Sequence, residues 1–128
     1  MKNRMNAIMA AITAIVFLLG ATNVLAGEAN VLGVNVDPLG ERQFRISVTL
    51  SHADTGWDHY ANAWQALDEN GEVIGERVLQ HPHVNEQPFT RSLTLTIPEA
   101  VKLITIKGQD LVHGLGGKMM VVEVPLLP

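Results

Sequence analysis

From Gln43 to Ser51 the chain alternates without a break. Phe44, Ile46, Val48 and Leu50 are apolar, whereas Arg45, Ser47, Thr49 and Ser51 are polar. A period of two is the spacing at which a β-strand turns successive side chains to opposite faces. Such a segment buries one face as a strand of an antiparallel sheet. Thr90 to Ile97 repeats the pattern, with Arg91, Leu93, Leu95 and Ile97 opposite Thr90, Ser92, Thr94 and Thr96. No helical period of useful length appears after residue 27.

Five more segments are rich in β-formers and bounded by turn residues. Val31 to Val36 ends at Asp37-Pro38-Leu39-Gly40, and His59 to Leu67 carries Tyr60 and Trp64 on one face. Glu72 to Leu79 follows Glu69-Asn70-Gly71, a hairpin signal because Asn-Gly tolerates positive φ. Val101 to Gln109 follows Pro98-Glu99-Ala100, and Lys118 to Val124 closes the chain. About seven strands, each with one apolar face, predict an all-β domain of two packed antiparallel sheets, an immunoglobulin- or fibronectin-like sandwich. A small closed barrel is the alternative. Trp64 and Phe44 are expected in the core, with Leu93, Leu95 and Ile104 around them.

Residues 1–26 read as a segment removed before folding. Lys2 and Arg4 precede an apolar run from Ala7 to Leu19, and Val24-Leu25-Ala26 offers small or modest side chains to a signal peptidase. This is the build of a secretory signal peptide, and the run is shorter than the ~20 residues needed to span a bilayer. The expected organisation is therefore a cleaved signal peptide, 1–26, and one β-sandwich domain, 27–128. Loss of Lys2 and Arg4 takes the net charge from −4 to −6. That sign is wrong for a nucleic-acid binder. The membrane is met only through the signal peptide, and the product is periplasmic or secreted. The chain has no cysteine, which excludes disulfides, thiolate metal sites and a lipid-bearing cysteine.

The five histidines gather at one end if successive connections alternate between the two ends of the sandwich. Ser51–Asp58, Gln80–Phe89 and Asp110–Gly117 share an end that carries His52, His81, His83 and His113, and His59 opens the strand leaving it. The opposite end has none. Pro82 holds His81 extended, so His81 and His83 point to the same side and can offer two imidazoles to one metal or one anion. A rigid turn whose histidines cap backbone groups is the alternative. His52, taken alone, reads as a solvated loop residue. Asp54 and Asp58 can ligate, orient an imidazole, or cap the loop through Asx turns. Trp57 is either a binding platform or a lid on the core. Arg91 sits at the edge of the core and requires a carboxylate from Asp58, Glu86 or Asp110; the same guanidinium can anchor an anionic ligand. The glycines from Gly114 to Gly117 lead into a strand rather than a helix, which excludes a nucleotide cradle. They allow close approach of neighbouring backbone instead.

The blocks Asp54 to Tyr60 (DTGWDHY), His81 to Arg91 (HPHVNEQPFTR) and His113 to Gly117 resemble those of small exported bacterial proteins of uncharacterised function. The resemblance covers most of the chain after residue 27 and implies export, with no activity attached. Secreted copper-binding sandwiches are a looser analogy. A mature chain beginning at Gly27 has no N-terminal histidine brace, and a blue-copper site needs a thiolate.

Two functions from different classes follow. One is a periplasmic binding protein for copper or zinc, with His81, His83 and His113 as ligands and His59 or His52 completing the set. The other is a metal-free interaction module that grips an envelope protein or small ligand through the same loops, with Trp57, Tyr60 and Arg91 as contacts. An enzyme has the least support, because no serine sits in a nucleophile elbow and no carboxylate pair can be assigned.

Overall fold

The computed structural model describes residues 27–126. The expected signal peptide lies outside them. Among these residues seven strands form: β1 (Asn30–Gly40), β2 (Gln43–Ser51), β3 (Ala61–Leu67), β4 (Val73–Val78), β5 (Phe89–Thr96), β6 (Leu103–Asp110) and β7 (Gly114–Glu123). They build a three-stranded sheet in the order β1-β2-β5 and a four-stranded sheet in the order β4-β3-β6-β7, with every pairing antiparallel. The fold is the two-sheet sandwich, not the closed barrel.

The core follows the period of two. Phe44, Ile46, Val48 and Leu50 from β2 meet Ile104 and Ile106 from β6 and Trp64 and Ala66 from β3, all buried. Leu93 and Leu95 are half-buried and pack against this cluster. They also lie over Gly75, where an added Cβ would stand 3.1 Å from Leu93 and 3.0 Å from Leu95. On the outer face of the three-stranded sheet the polar half of the pattern pairs across strands: Ser47 with Ser92 at 2.9 Å and Thr49 with Thr90 at 2.7 Å.

Three boundaries differ from expectation, each for a physical reason. β1 runs through Asp37, Pro38 and Leu39 rather than ending there. Among the described residues it pairs only with β2, and an edge strand tolerates a proline that cannot donate to a further neighbour. The reversal comes later, at Gly40, Glu41 and Arg42, all with positive φ. Arg42 pins it by donating to the carbonyls of Ile97 (2.9 Å) and Pro98 (3.1 Å). β3 begins at Ala61 rather than His59, because residues 56–59 close a tight turn in which His59 N–H donates to Gly56 O at 3.2 Å. Tyr60 therefore precedes the strand and does not share a strand face with Trp64. Finally, β6 and β7 extend into the expected loop, leaving Leu111, Val112 and His113 between them.

The glycines of β7 do serve close approach. A Cβ on Gly116 would run into the Glu28 carboxylate, and one on Gly117, which has positive φ, would run into Ala29 O. The registers place the start of β1, the end of β2, the start of β3, the end of β4, the start of β5, the end of β6 and the start of β7 at one end of the sandwich. All five histidines lie at this end.

Candidate metal centre at the loop end

His52 follows β2 in the same phase as Phe44, Ile46, Val48 and Leu50, so its ring enters the core end rather than solvent. Its side chain is fully buried. This overturns the reading of His52 as a solvated loop residue. Asp110 occupies the corresponding inward position at the end of β6, after Ile104, Ile106 and Gly108, and its side chain is also fully buried.

Asp54 holds the loop together. One carboxylate oxygen lies 2.5 Å from His52 Nδ1 and accepts the Ala61 N–H at 3.1 Å; the other accepts the His83 N–H at 2.7 Å. Of the roles open to it, Asp54 both ties the loops and orients an imidazole. A carboxylate so engaged takes the Nδ1–H of His52, which turns the lone pair of Nε2 to the opposite side.

That opposite side is Asp110. His52 Nε2 is 3.3 Å from Asp110 Oδ2, yet among the described residues it has no aligned hydrogen bond, and it is buried. His59 Nε2 lies 3.6 Å from Asp110 Oδ1 and is likewise buried without a hydrogen-bond partner. The two rings stand edge to face at 4.8 Å. One donor atom each from His52, His59 and Asp110 fall within 4.8 Å of one another. Nitrogen and oxygen ligands at ~2.0–2.1 Å from a tetrahedral zinc are about 3.3–3.4 Å apart, so small ring rotations bring this set to coordination distance.

His113 completes the surroundings of Asp110. Its Nδ1 is 3.0 and 3.2 Å from the two carboxylate oxygens, and its ring is 5.1 Å from that of His59. The backbone N–H groups of Val112 (2.8 Å) and His113 (2.5 Å) also donate to Asp110 Oδ1. Burial pushes the Asp110 carboxyl up, but the backbone N–H and ring of His113 and the N–H of Val112 outweigh it. The net result is a pKa below the usual 3.8, which keeps a negative charge in the buried cluster.

His81 and His83 are drawn elsewhere. Their rings lie 4.7 Å apart, as the proline predicts, but they do not join His113 at one point. His83 Nε2 accepts a hydrogen bond from Arg91 at 3.0 Å, which occupies the lone pair a metal would need. Its ring stacks on Phe89 at 3.9 Å. His81 is exposed and its Nδ1 donates to Pro82 O at 3.1 Å. Both line a shallow groove of about 350 Å³ with Glu86. Glu86 is the carboxylate partner of Arg91, at 3.1 Å. Trp57 is 65% exposed, so it is not a lid on the core, and it packs edge to face on Tyr60 at 5.7 Å. Asp58 is exposed at the same turn.

Burial holds the His83 imidazole below its ordinary 6.5, with the Arg91 and His81 charges acting in the same direction. The fold thus favours the neutral ring. Its contribution to stability is complete above pH 6.5 and is lost as pH falls below that value through the lower folded pKa. Urea unfolding from pH 8 to 5 should show the wild-type protein losing its advantage over His83→Gln as the solution is acidified. A difference that stays constant across that range would contradict this assignment.

No family model matches the chain, and no solved structure matches it. The chain is similar to a protein of Halomicrobium mukohataei named "Putative lipoprotein", with 44% identity over 96 residues. The match covers 75% of this chain and 47% of that protein, so the chain spans about half the length of the relative.

Proposed function

We propose that this is an exported protein that binds a transition-metal ion, copper(II) or zinc(II), through His52, His59 and Asp110. The observation that carries the reading is the Nε2 atom of His52. It is buried, without a hydrogen-bond partner among the described residues, and aimed at a carboxylate. A neutral His52 would set its lone pair against the anionic oxygen of Asp110. A bound cation turns that repulsion into two ligand bonds, and imidazole with carboxylate suits both ions. Asp54 would then be the carboxylate that orients the liganding ring from behind. Export is supported by the signal-peptide pattern of residues 1–26 and by the lipoprotein name of the relative. These 128 residues contain no cysteine that could carry a lipid.

Metal binding selective for the folded state stabilises it; at about 1,000 times Kd the gain is ~4 kcal/mol. Zinc or copper(II) should therefore raise the melting temperature of metal-stripped, untagged protein. His59→Gln should weaken that rise, and His52→Ala with His59→Ala should abolish it. Circular dichroism of the metal-free variants checks the fold. A wild-type protein whose melting ignores both ions would overturn the reading.

A second reading has its own observation. Trp57, Val84, Leu111 and Val112, from three loops at this end, are each about half exposed or more. Such apolar tips suit a surface that grips a partner protein. Binding of a partner that persists after metal removal would favour it.

A further inference from the structure

Between β4 and β5 the segment 81–86 lines a shallow groove, and the segment is tied down at several points. The His83 N–H donates to Asp54 at 2.7 Å. The Gln87 side-chain amide donates to His83 O at 3.1 Å and accepts the His52 N–H at 3.0 Å. His83 is only 5% exposed, and its ring lies flat on Phe89, 11° from parallel.

The guanidinium of Arg91 reaches the rim of this groove. Its Nη2 donates to His83 Nε2 at 3.0 Å and to Glu86 Oε1 at 3.1 Å, and its Nη1 donates to Thr90 O at 2.7 Å. Glu86 is a loose partner. Its side chain is 56% exposed, against 30% for Arg91, and an exposed ion pair adds little stability. A ring and a backbone carbonyl therefore hold Arg91 in place without neutralising it, while the carboxylate that does neutralise it is exchangeable. His81, exposed in the same groove, gives its Nδ1–H to Pro82 O, so its Nε2 carries a lone pair.

We propose that this groove binds the C-terminal end of a peptide, and that Glu86 is the internal stand-in its carboxylate displaces. The terminal carboxylate takes the place of Glu86 on Arg91, whose planar fork matches that group. The N–H beside the terminal carboxylate donates to Nε2 of His81. Pro82 and the half-exposed Val84 offer apolar surface to the last side chain. A volume of about 350 Å³ lies at the lower end for ligand sites and suits a short end of chain rather than a folded domain. The groove shares no residue with the His52–His59–Asp110 set and does not depend on metal.

The probe is N-acetyl-alanyl-leucine, titrated into metal-free protein at neutral pH and followed by backbone amide chemical shifts. The same dipeptide with its C-terminus amidated, and acetate, are the comparison ligands. The dipeptide should bind and shift the signals of His81 to Glu86 and of Arg91. The amidated form, which lacks the charge for Arg91, should bind at least about ten-fold more weakly, as should acetate, which lacks the N–H. Glu86→Gln removes the internal competitor and should tighten binding about two- to five-fold. Glu123→Gln, at the opposite end of the sandwich, should leave it unchanged. Arg91→Gln should abolish binding, with circular dichroism checking its fold; if it does not fold, the Glu86→Gln and amidated-ligand comparisons decide. Equal binding of the dipeptide and its amidated form would overturn the proposal, as would an affinity that Glu86→Gln leaves unchanged or lowers. Acetate binding as tightly as the dipeptide would overturn it too, leaving a bare anion site, and so would no binding at all.

Discussion

Replacing Asp54 with Ala should destabilise the protein by about 3–5 kcal/mol, the range for removing one partner of a buried charged network. Three groups depend on this carboxylate: the His52 ring, the Ala61 N–H that starts β3, and the backbone N–H of His83. Alanine leaves all three donors buried without an acceptor. The consequences reach beyond stability, because Asp54 also sets which nitrogen of His52 carries the proton. Urea unfolding of the metal-free protein measures the loss. A change below about 1 kcal/mol would mean that water replaces the carboxylate and that His52 is not oriented by it.

Trp64→Ala should cost a similar ~3–5 kcal/mol, from lost burial together with an incompletely collapsed cavity. Trp64 is fully buried in the middle of β3, between the pairings to β4 and β6. Its indole N–H has no hydrogen-bond partner among the described residues, and removing that orphaned donor offsets part of the loss. The value should therefore fall toward the lower end of the range. The loss should appear equally in metal-free and metal-loaded protein, which separates a core residue from a ligand. A loss below about 1 kcal/mol would contradict its place in the core.

The sandwich was legible because the period of two is a property of backbone geometry that needs no tertiary information. β2 has the bounds read from the sequence, and Phe44, Trp64 and Ile104 are buried as expected. Strand ends were less legible. Pro38 signals a turn in isolation, but its place on an edge strand removes the conflict, and edge position is a tertiary fact. The shared end for five histidines followed from antiparallel connectivity alone.

Which histidines meet did not follow. The His81-Pro82-His83 pair is stiff and conspicuous in the sequence, yet Arg91 and Phe89 engage His83 through contacts no local spacing reveals. The signal that does bear on it is phase. Continued by one more step, the inward series of β2 reaches His52 and that of β6 reaches Asp110. A titratable side chain at the inward position where an apolar series ends is half-way into the core, and two such positions at one end must face each other. The third member, His59, depends on the turn at 56–59, which only the bridge between Gly56 and His59 reveals.

The same cluster explains why the loop end combines buried charge with exposed apolar tips. The carboxylates and rings order the loops from within, leaving Trp57, Val84, Leu111 and Val112 free of core duties.

The most direct test of the metal centre is a crystal structure of the zinc-loaded protein with anomalous data at the zinc edge. The expected result is a peak at about 2.0–2.1 Å from Nε2 of His52 and Nε2 of His59 and within ligand distance of an Asp110 oxygen, with Asp54 still on Nδ1 of His52. Full zinc occupancy elsewhere, or His52 and Asp110 in direct contact with no anomalous peak between them, would contradict it.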